Sequence, residues 1–415
     1  MKRISTNLPN YDTQYWLRLR EWSLNEQENK IASQSRIQNL RDDPIAAGHS
    51  TRYQSEVARM TRWRTNVDDV RGGYAVTEGY LTSAMDILQR LRELAVQGAN
   101  GVYDKSQLGD MGTEVDQLFR ELIAVGNAKD QNGNYIFSGT QASTQPFRTS
   151  AGRIPGGAAD VTVAVDFMAS GQTSPVEVGN GEVVQVGFPG SQAFWAEQQQ
   201  IYSTVDASTY RVQVPSTISL DGAEITLAPG DTVNAVIQKI NDSNAPVRAR
   251  LDPVSSSLVL ETTRPHQIQA QDLGGSTVLQ DLGIIARGSP RTPLNISPTA
   301  RVFGGSIFDM VMQLRDALFA GDTDKVGSLG LKGVDESISS LAGTLADLGA
   351  KDNRVDTAGK RLDWVKPEVV AMDSKERDLD LSQAITELKM LEYGHEAALA
   401  TAAQVLPPTL LDFLR

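Results

Sequence analysis

Three histidines, a pair of adjacent aspartates and a few glycine turns are the places where residue type suggests chemistry. His49, His266 and His395 could shuttle protons or ligate a metal, but each stands alone, with no second histidine or carboxylate at ligand spacing on the same face. Asp42 and Asp43 could hold a cation, yet Pro44 gives them a simpler task. An aspartate before proline reads as a helix start: the carboxylate accepts from orphan N–H groups of the first turn, and proline at the first helical position gives up only an N–H without a partner. Asp43 and Pro44 are therefore read as a helix cap. The turns Gly179-Asn180-Gly181 and Gly274-Gly275-Ser276-Thr277 lack the strand-to-helix grammar of a phosphate loop. Asp166, Asp252 and Glu261 are the carboxylates from which a glycosidase-like pair could be drawn. They keep open a minor alternative, a carbohydrate-binding or carbohydrate-active module on a coiled-coil stalk. The sequence assigns no catalytic, cofactor-binding or metal residue, and no cofactor is implied.

The totals narrow the class further. The net charge of −12 argues against a nucleic-acid or anionic-membrane surface. The chain has no cysteine, which excludes disulfides, thiolate metal sites and cysteine nucleophiles. No run reaches the length of a membrane span, and the opening MKRISTNLPN lacks the apolar core of a secretory signal. The expectation is a cytoplasmic protein, or one exported without such a signal. A chain of 415 residues exceeds one typical core, so two or three domains are expected.

The elements that would position these residues are dominated by one rhythm. Met60, Val67, Tyr74, Leu81, Leu88 and Ala95 recur every seven residues, and Trp63, Val70, Thr77, Ala84 and Leu91 follow three behind. This is an a/d seam of a helix wrapped on a partner. It ends at QGANG, where Gly98 and Gly101 allow a left-handed turn. At 1.5 Å per residue the helix would be roughly 80 Å long. Met111, Val115, Leu118, Leu122 and Val125 form a second stripe, opened by Asp104 or Ser106. Leu341, Leu348, Val355, Leu362 and Val369 form a third, with Ile338, Leu345 and Val365 beside them. Asp352 interrupts this one, and Pro367 should kink or end it. Seams from both ends of the chain thus invite pairing.

Between them the pattern changes. VTVAV (161–165), VEVGNGEVVQVGF (176–188) and SLVLET (257–262) alternate as strands, the middle one as a hairpin, with one helix at DTVNAVIQKIN (231–241). The expected fold class is multidomain α+β: a long coiled-coil helical rod built from both termini, with an inserted β-rich domain. The segments are an N-terminal assembly helix (1–42), the N-terminal part of the rod (43–140), the β-rich insert (141–302), the C-terminal part of the rod (303–375) and a C-terminal assembly helix (376–415). The terminal segments carry thin apolar stripes: Tyr15, Leu19, Trp22 and Ile31 at one end, and Leu381, Ile385, Leu388, Leu399, Leu411, Phe413 and Leu414 at the other. They look too sparse to hold helices unaided and are read as subunit-interface residues, fluctuating in the free monomer.

Several stretches resemble the bacterial flagellin family, and within it the hook–filament junction type, hook-associated protein 3. MKRIST opens the chain, RDDPIAAG matches the family's helix break, and LRELAVQGANG its long-helix ending. GNYIFSGTQASTQPF resembles the Gly…Phe-x-Gly…Pro-Phe signature of junction proteins. IFDMVMQLRDAL, GAKDNRV, DLDLSQAITEL and LLDFLR follow in family order. DGAEITLAPGDTVNAVIQKINDSNAPVRARL resembles a small insertion motif centred on Ile240-Asn241. Pro407-Pro408 departs from the family's continuous last helix. The resemblance implies a structural adaptor without catalysis, exported through the flagellar secretion apparatus to an external or periplasmic flagellum. The implied partners are the hook-side junction protein, the flagellin filament, other copies in a ring and an export chaperone. The alternative within the family is a filament flagellin.

Overall fold

The chain adopts the α+β class expected of it, with long helices before and after a run of strands in chain order. In the computed structural model, residues 8–154, 161–288, 292 and 294–405 are described. Helices α1 (Leu8–Ser33), α2 (Pro44–Ala99) and α3 (Lys105–Gly126) come first. The strands and short helices follow: β1 (Phe147–Gly152), β2 (Val161–Phe167), β3 (Ser174–Gly179), β4 (Glu182–Val186), α4 (Gly190–Ala193), β5 (Gln200–Asp206), β6 (Ser216–Leu220) and β7 (Ala223–Leu227). Next are α5 (Val233–Asn241), β8 (Val247–Leu251), β9 (Ser257–Thr262), β10 (Ala270–Leu273), α6 (Val278–Asp281) and β11 (Arg301–Phe303). Helices return as α7 (Ile307–Ala320), α8 (Thr323–Lys325), a π-helical turn (Val326–Gly330), α9 (Leu331–Arg377) and α10 (Leu381–Val405).

Two compact units result, one from residues up to Thr65 with those from Gly359 onward, the other Asn66–Ala358. The divisions fall inside α2 and α9, whereas composition marks segment ends at 42, 140, 302 and 375.

In the larger unit, the seam residues Val67, Val70, Tyr74, Leu81, Leu88 and Leu91 of α2 are buried, as are Leu341, Leu348 and Val355 of α9. Arg71 pairs with Asp352 and Asp356 at 3.8 and 3.1 Å, and Arg92 with Asp335 at 2.6 Å. Residue numbers rise on one helix as they fall on the other, so the pair is antiparallel. Asp352 thus lies beside the seam as an ion-pair partner. In the smaller unit Met60 and Leu362 are buried, Arg64 meets Asp363 at 3.2 Å, and Ser50 donates to Asp373 at 2.5 Å.

Pro367 does not end α9, which runs on to Arg377. Proline there removes one bond to the Asp363 carbonyl, and because Pro367 is exposed that carbonyl can turn to water. Gly98 lies inside α2, where a Cβ would come within 2.8 Å of Leu318; the left-handed residue is Gly101, at φ 66°. On α3 the stripe is rotated from the expected one: Leu108, Val115, Phe119, Leu122 and Ile123 are buried, while Met111, Leu118 and Val125 are half-buried. Asp104 opens that helix in a reciprocal capping box with Gln107.

The strands form a four-stranded antiparallel sheet (β11-β5-β9-β8), a three-stranded one (β10-β6-β7) and the pairs β1-β2 and β3-β4. Ile218, Leu220, Val236, Ile240, Leu258 and Leu260 lead one apolar core. A second is aromatic. Phe119 of α3, Phe137, Phe147 of β1, Phe167 of β2, Phe194 and Phe308 of α7 form a chain of ring contacts, with centroids 4.7 Å apart for Phe147–Phe308 and 5.0 Å for Phe137–Phe194. Next to it, the fully buried Arg315 guanidinium reaches Asp116 at 3.0 Å and Asp316 at 2.8 Å, and lies over the Phe119 ring.

Truncating Leu88, fully buried in the seam, should cost about 2–5 kcal/mol. Leu88→Ala is expected to lower the Tm of the full chain clearly, whereas the exposed Arg59→Ala leaves it within error. Calorimetry checks this, and equal Tm values for both variants would remove the seam argument.

Candidate subunit interface

The turn between α1 and α2 is built on its two aspartates. Asp42 accepts from the backbone N–H groups of Gln38 and Asn39 at 3.0 and 2.8 Å, and these bonds hold its carboxyl below the usual range. Asp43 accepts from Ala46 N–H at 3.0 Å, and Arg36 reaches its other oxygen at 3.1 Å; the backbone bond first, then the guanidinium, lowers its titration too. Pro44 is the first residue of α2.

The chain entering and the chain leaving this region meet. Arg36 N–H donates to Arg377 O at 2.8 Å, and Leu379 N–H donates to Gln34 O at 3.1 Å. Beyond this clasp α10 starts behind Asp380, which accepts from Ser382 and Gln383 N–H at 2.9 and 3.1 Å. Helices α1 and α10 lie against each other. Gln27 is buried and donates to Ala384 O at 3.1 Å, and Arg20 donates to Gly394 O at 2.8 Å. Sequence stripes could not reveal this, because the contact uses polar side chains on backbone carbonyls.

Pairing leaves much apolar surface uncovered. Tyr15, Leu19 and Trp22 on α1, and Leu381, Ile385 and Leu399 on α10, are exposed; Ile31 and Leu388 are half-buried. Leu411, Phe413 and Leu414, like Pro407-Pro408, lie outside the described residues. Tyr11 and Trp16 on α1 are equally bare, and so are Met390 and Tyr393 on α10, which were not singled out in the sequence, Tyr393 at 71% exposure. The spacing of these last two relative to Ile385 was the available signal. Large contiguous apolar patches on protein surfaces are in general places where other molecules bind.

The reactive residues are distributed otherwise than the sequence suggests. His266 is not solitary: it is buried against Asp221, Nε2 to Oδ2 at 2.9 Å, with Nδ1 at 2.9 Å from Arg264 O. His49 meets Glu376 at 3.3 Å. Both partners are distant in sequence, which hid them. Asp252 accepts from Ser255 and Glu261 from Gln200, while Asp166 sits opposite Arg148 in the β1-β2 register. A cleft of about 680 Å³ in the larger unit is lined by Glu197, Glu336, Asp347, Phe188 and Phe303 among others. There, burial first, then the hydrogen bond and charge of Glu336, push the Glu197 carboxyl up. Among the described residues no three potential ligands gather around a metal position, and no helix is long and apolar enough to cross a membrane.

A family profile for the bacterial flagellin N-terminal helical region matches residues 4–142, and one for the flagellin hook IN motif matches residues 216–264. The chain belongs to the bacterial flagellin family. Flagellin A of Vibrio anguillarum is 23% identical over 417 residues, 99% of each chain. Flagellar hook-associated protein 3 of Escherichia coli K12 is 24% identical over 225 residues, 54% of this chain and 70% of that protein. Among solved structures, flagellar hook-associated protein 3 from Legionella pneumophila is similar at a TM-score of 0.47 and 17% identity, covering 78% of this chain and 97% of that one. In this flagellin-family chain, the first profile ends just after Phe137-Ser138-Gly139, and the second includes Ile240-Asn241.

Two outcomes follow from the geometry. Asp43→Ala should lower the Tm, and Asp43→Asn should restore much of it, because asparagine caps as well as aspartate. Equal losses in both variants would assign the effect to Arg36 instead. Glu197 titrates above its unfolded value, so its contact with Glu336 stabilises below the ordinary carboxylate range and is lost as pH rises through the elevated value. Glu197→Gln should therefore match the parent Tm in acid and exceed it at neutral pH, and parallel Tm curves across pH would contradict the raised titration of Glu197.

Proposed function

We propose that this chain is a structural subunit of the bacterial flagellum that joins the hook-side junction to the flagellin filament, and that its work is packing rather than catalysis. The observation that carries this is the apolar side left bare on α1 and α10 after they pair. Burying such surface yields about 25 cal/mol per Å², so covering it by neighbouring subunits gives the free energy that holds the assembly. Tyr15, Leu19, Trp22, Ile31, Leu381, Ile385, Leu388 and Leu399 are the proposed contacts, with Leu411, Phe413 and Leu414 beyond them. Met60, Val67, Tyr74, Leu81, Leu88 and Leu91 of α2, with Leu341, Leu348, Val355 and Leu362 of α9, are the proposed seam that stiffens the subunit, capped at Asp43-Pro44.

The finer reading is a ring of copies between the hook-side junction protein and the filament. It includes export through the flagellar secretion apparatus, with a chaperone covering the apolar helices on the way. Support for the junction type comes from the alignment to hook-associated protein 3 and from Phe137 and Phe147, the signature aromatics, which both enter the ring cluster. The alignment to flagellin A over nearly the whole of both chains favours the second reading, a filament subunit.

Electron microscopy separates them. The purified chain alone should form no long filaments, and it should enter assemblies when hook-side junction protein and flagellin are supplied. Trp22→Asp and Ile385→Asp, both at exposed positions, should block entry while leaving the monomer's stability within about 0.5 kcal/mol of the parent's. Long filaments grown from this chain alone would decide for the filament reading.

A further inference from the structure

Strand β8 lies at the outside of its sheet, paired on one side only, with Ala249 opposite Leu260 of β9. On the other side Ala249 is met by a side chain. Its N–H donates to Asn241 Oδ1 at 2.8 Å, and Asn241 Nδ2 donates to Ala249 O at 2.9 Å. Those are the two bonds that a residue of a neighbouring strand would exchange with it. Asn241 is held in place as the last residue of α5: Ile240 before it is fully buried in the core, and Ser243 Oγ donates to Ile240 O at 2.6 Å. The same arrangement recurs at the end of α3. There Asn127 accepts from Phe147 N–H at 2.9 Å and donates to Phe147 O at 3.0 Å, while Phe167 pairs with Phe147 on its other side. Two helix-terminal asparagines thus dress two strand edges.

We propose that Asn241 is a strand surrogate that closes the outer edge of β8 against pairing with β8 of a second copy of this chain. An open strand edge is a template for another chain, and proteins block it with charge or cover. Both guards are present. Antiparallel pairing of two copies about Ala249 would set Arg248 against Arg250, like charges face to face, and Arg250 is held over the Tyr202 ring with a bond to its hydroxyl at 2.8 Å. The edge closure stands on these contacts alone. Its use, keeping copies that associate through helices from associating through sheets, rests on the assembly reading above.

The test uses the full chain in solution. In Asn241→Ala, hydrogen exchange at the Ala249 amide should rise roughly threefold to tenfold, the range expected for one lost hydrogen bond. The Arg250 amide, which faces β9, should stay as it was. Asn241→Asp keeps the acceptor, so its Ala249 exchange should remain near the parent's. Asn241→Ala combined with Arg248→Glu, which puts a carboxylate opposite Arg250, should self-associate by light scattering when compared with Arg248→Glu alone. Unchanged Ala249 exchange in Asn241→Ala, equally fast exchange in Asn241→Asp, or equal masses for the double variant and its control would each overturn the proposal. None of these outcomes bears on filament growth, so the two readings fail separately.

Discussion

A helix of 56 residues whose apolar line continues for most of its length cannot stand in water by itself. Most helical stability comes from covering such a face, and here the cover is α9, from the far end of the chain. Everything between α2 and α9 must therefore form a closed excursion that returns to its starting place. Closure is not the obstacle it seems. Its entropic cost grows only with the logarithm of loop length, about 0.6 kcal/mol per doubling. A large insert is tolerated as long as its ends are brought together firmly.

The aromatic cluster and Arg315 do that. Phe119 belongs to the outgoing helix α3, Phe308 to the returning helix α7, and Phe147, Phe167 and Phe194 to the insert that separates them. Six rings in edge and stacked contact bury large apolar area with defined geometry, so exit and re-entry are fixed together. The Arg315–Asp116 pair locks the same two helices at full burial. A buried pair of this kind adds little net stability, since both charges must leave water. It strongly penalises any arrangement that separates them, so its contribution here is register between α3 and α7.

This division explains what could be read from sequence. The seam was legible because its cause is local periodicity: Val67, Tyr74, Leu81 and Leu88 announce their face by spacing alone. Asp43-Pro44 and the strand at 257–262 were legible for the same reason. His266–Asp221, Glu197–Glu336 and Arg315–Asp116 were not, because each joins residues brought near only by the finished topology. Pro367 misled because the rule against proline in helices weighs one lost bond, and a 47-residue helix with that carbonyl at an exposed position absorbs it. Phe119 went unread on α3 because the expected heptad ran beside it rather than through it.

The same physics, left incomplete, accounts for the terminal helices. In each unit the α2 and α9 seam positions are dry, whereas α1 and α10 meet through Gln27, Arg20 and a few small residues such as Ala384. Polar side chains on backbone carbonyls hold two helices in register without consuming their apolar residues. Net, such bonds contribute only about 0.5–1.5 kcal/mol each, far less than covering Trp22, Tyr15, Ile385 and Tyr393 would yield at about 1.5–3 kcal/mol for each fully buried large apolar side chain. The pairing of α1 with α10 is thus strong enough to present a surface and too weak to use it up. The proposed assembly, in which neighbours complete this surface, needs both properties.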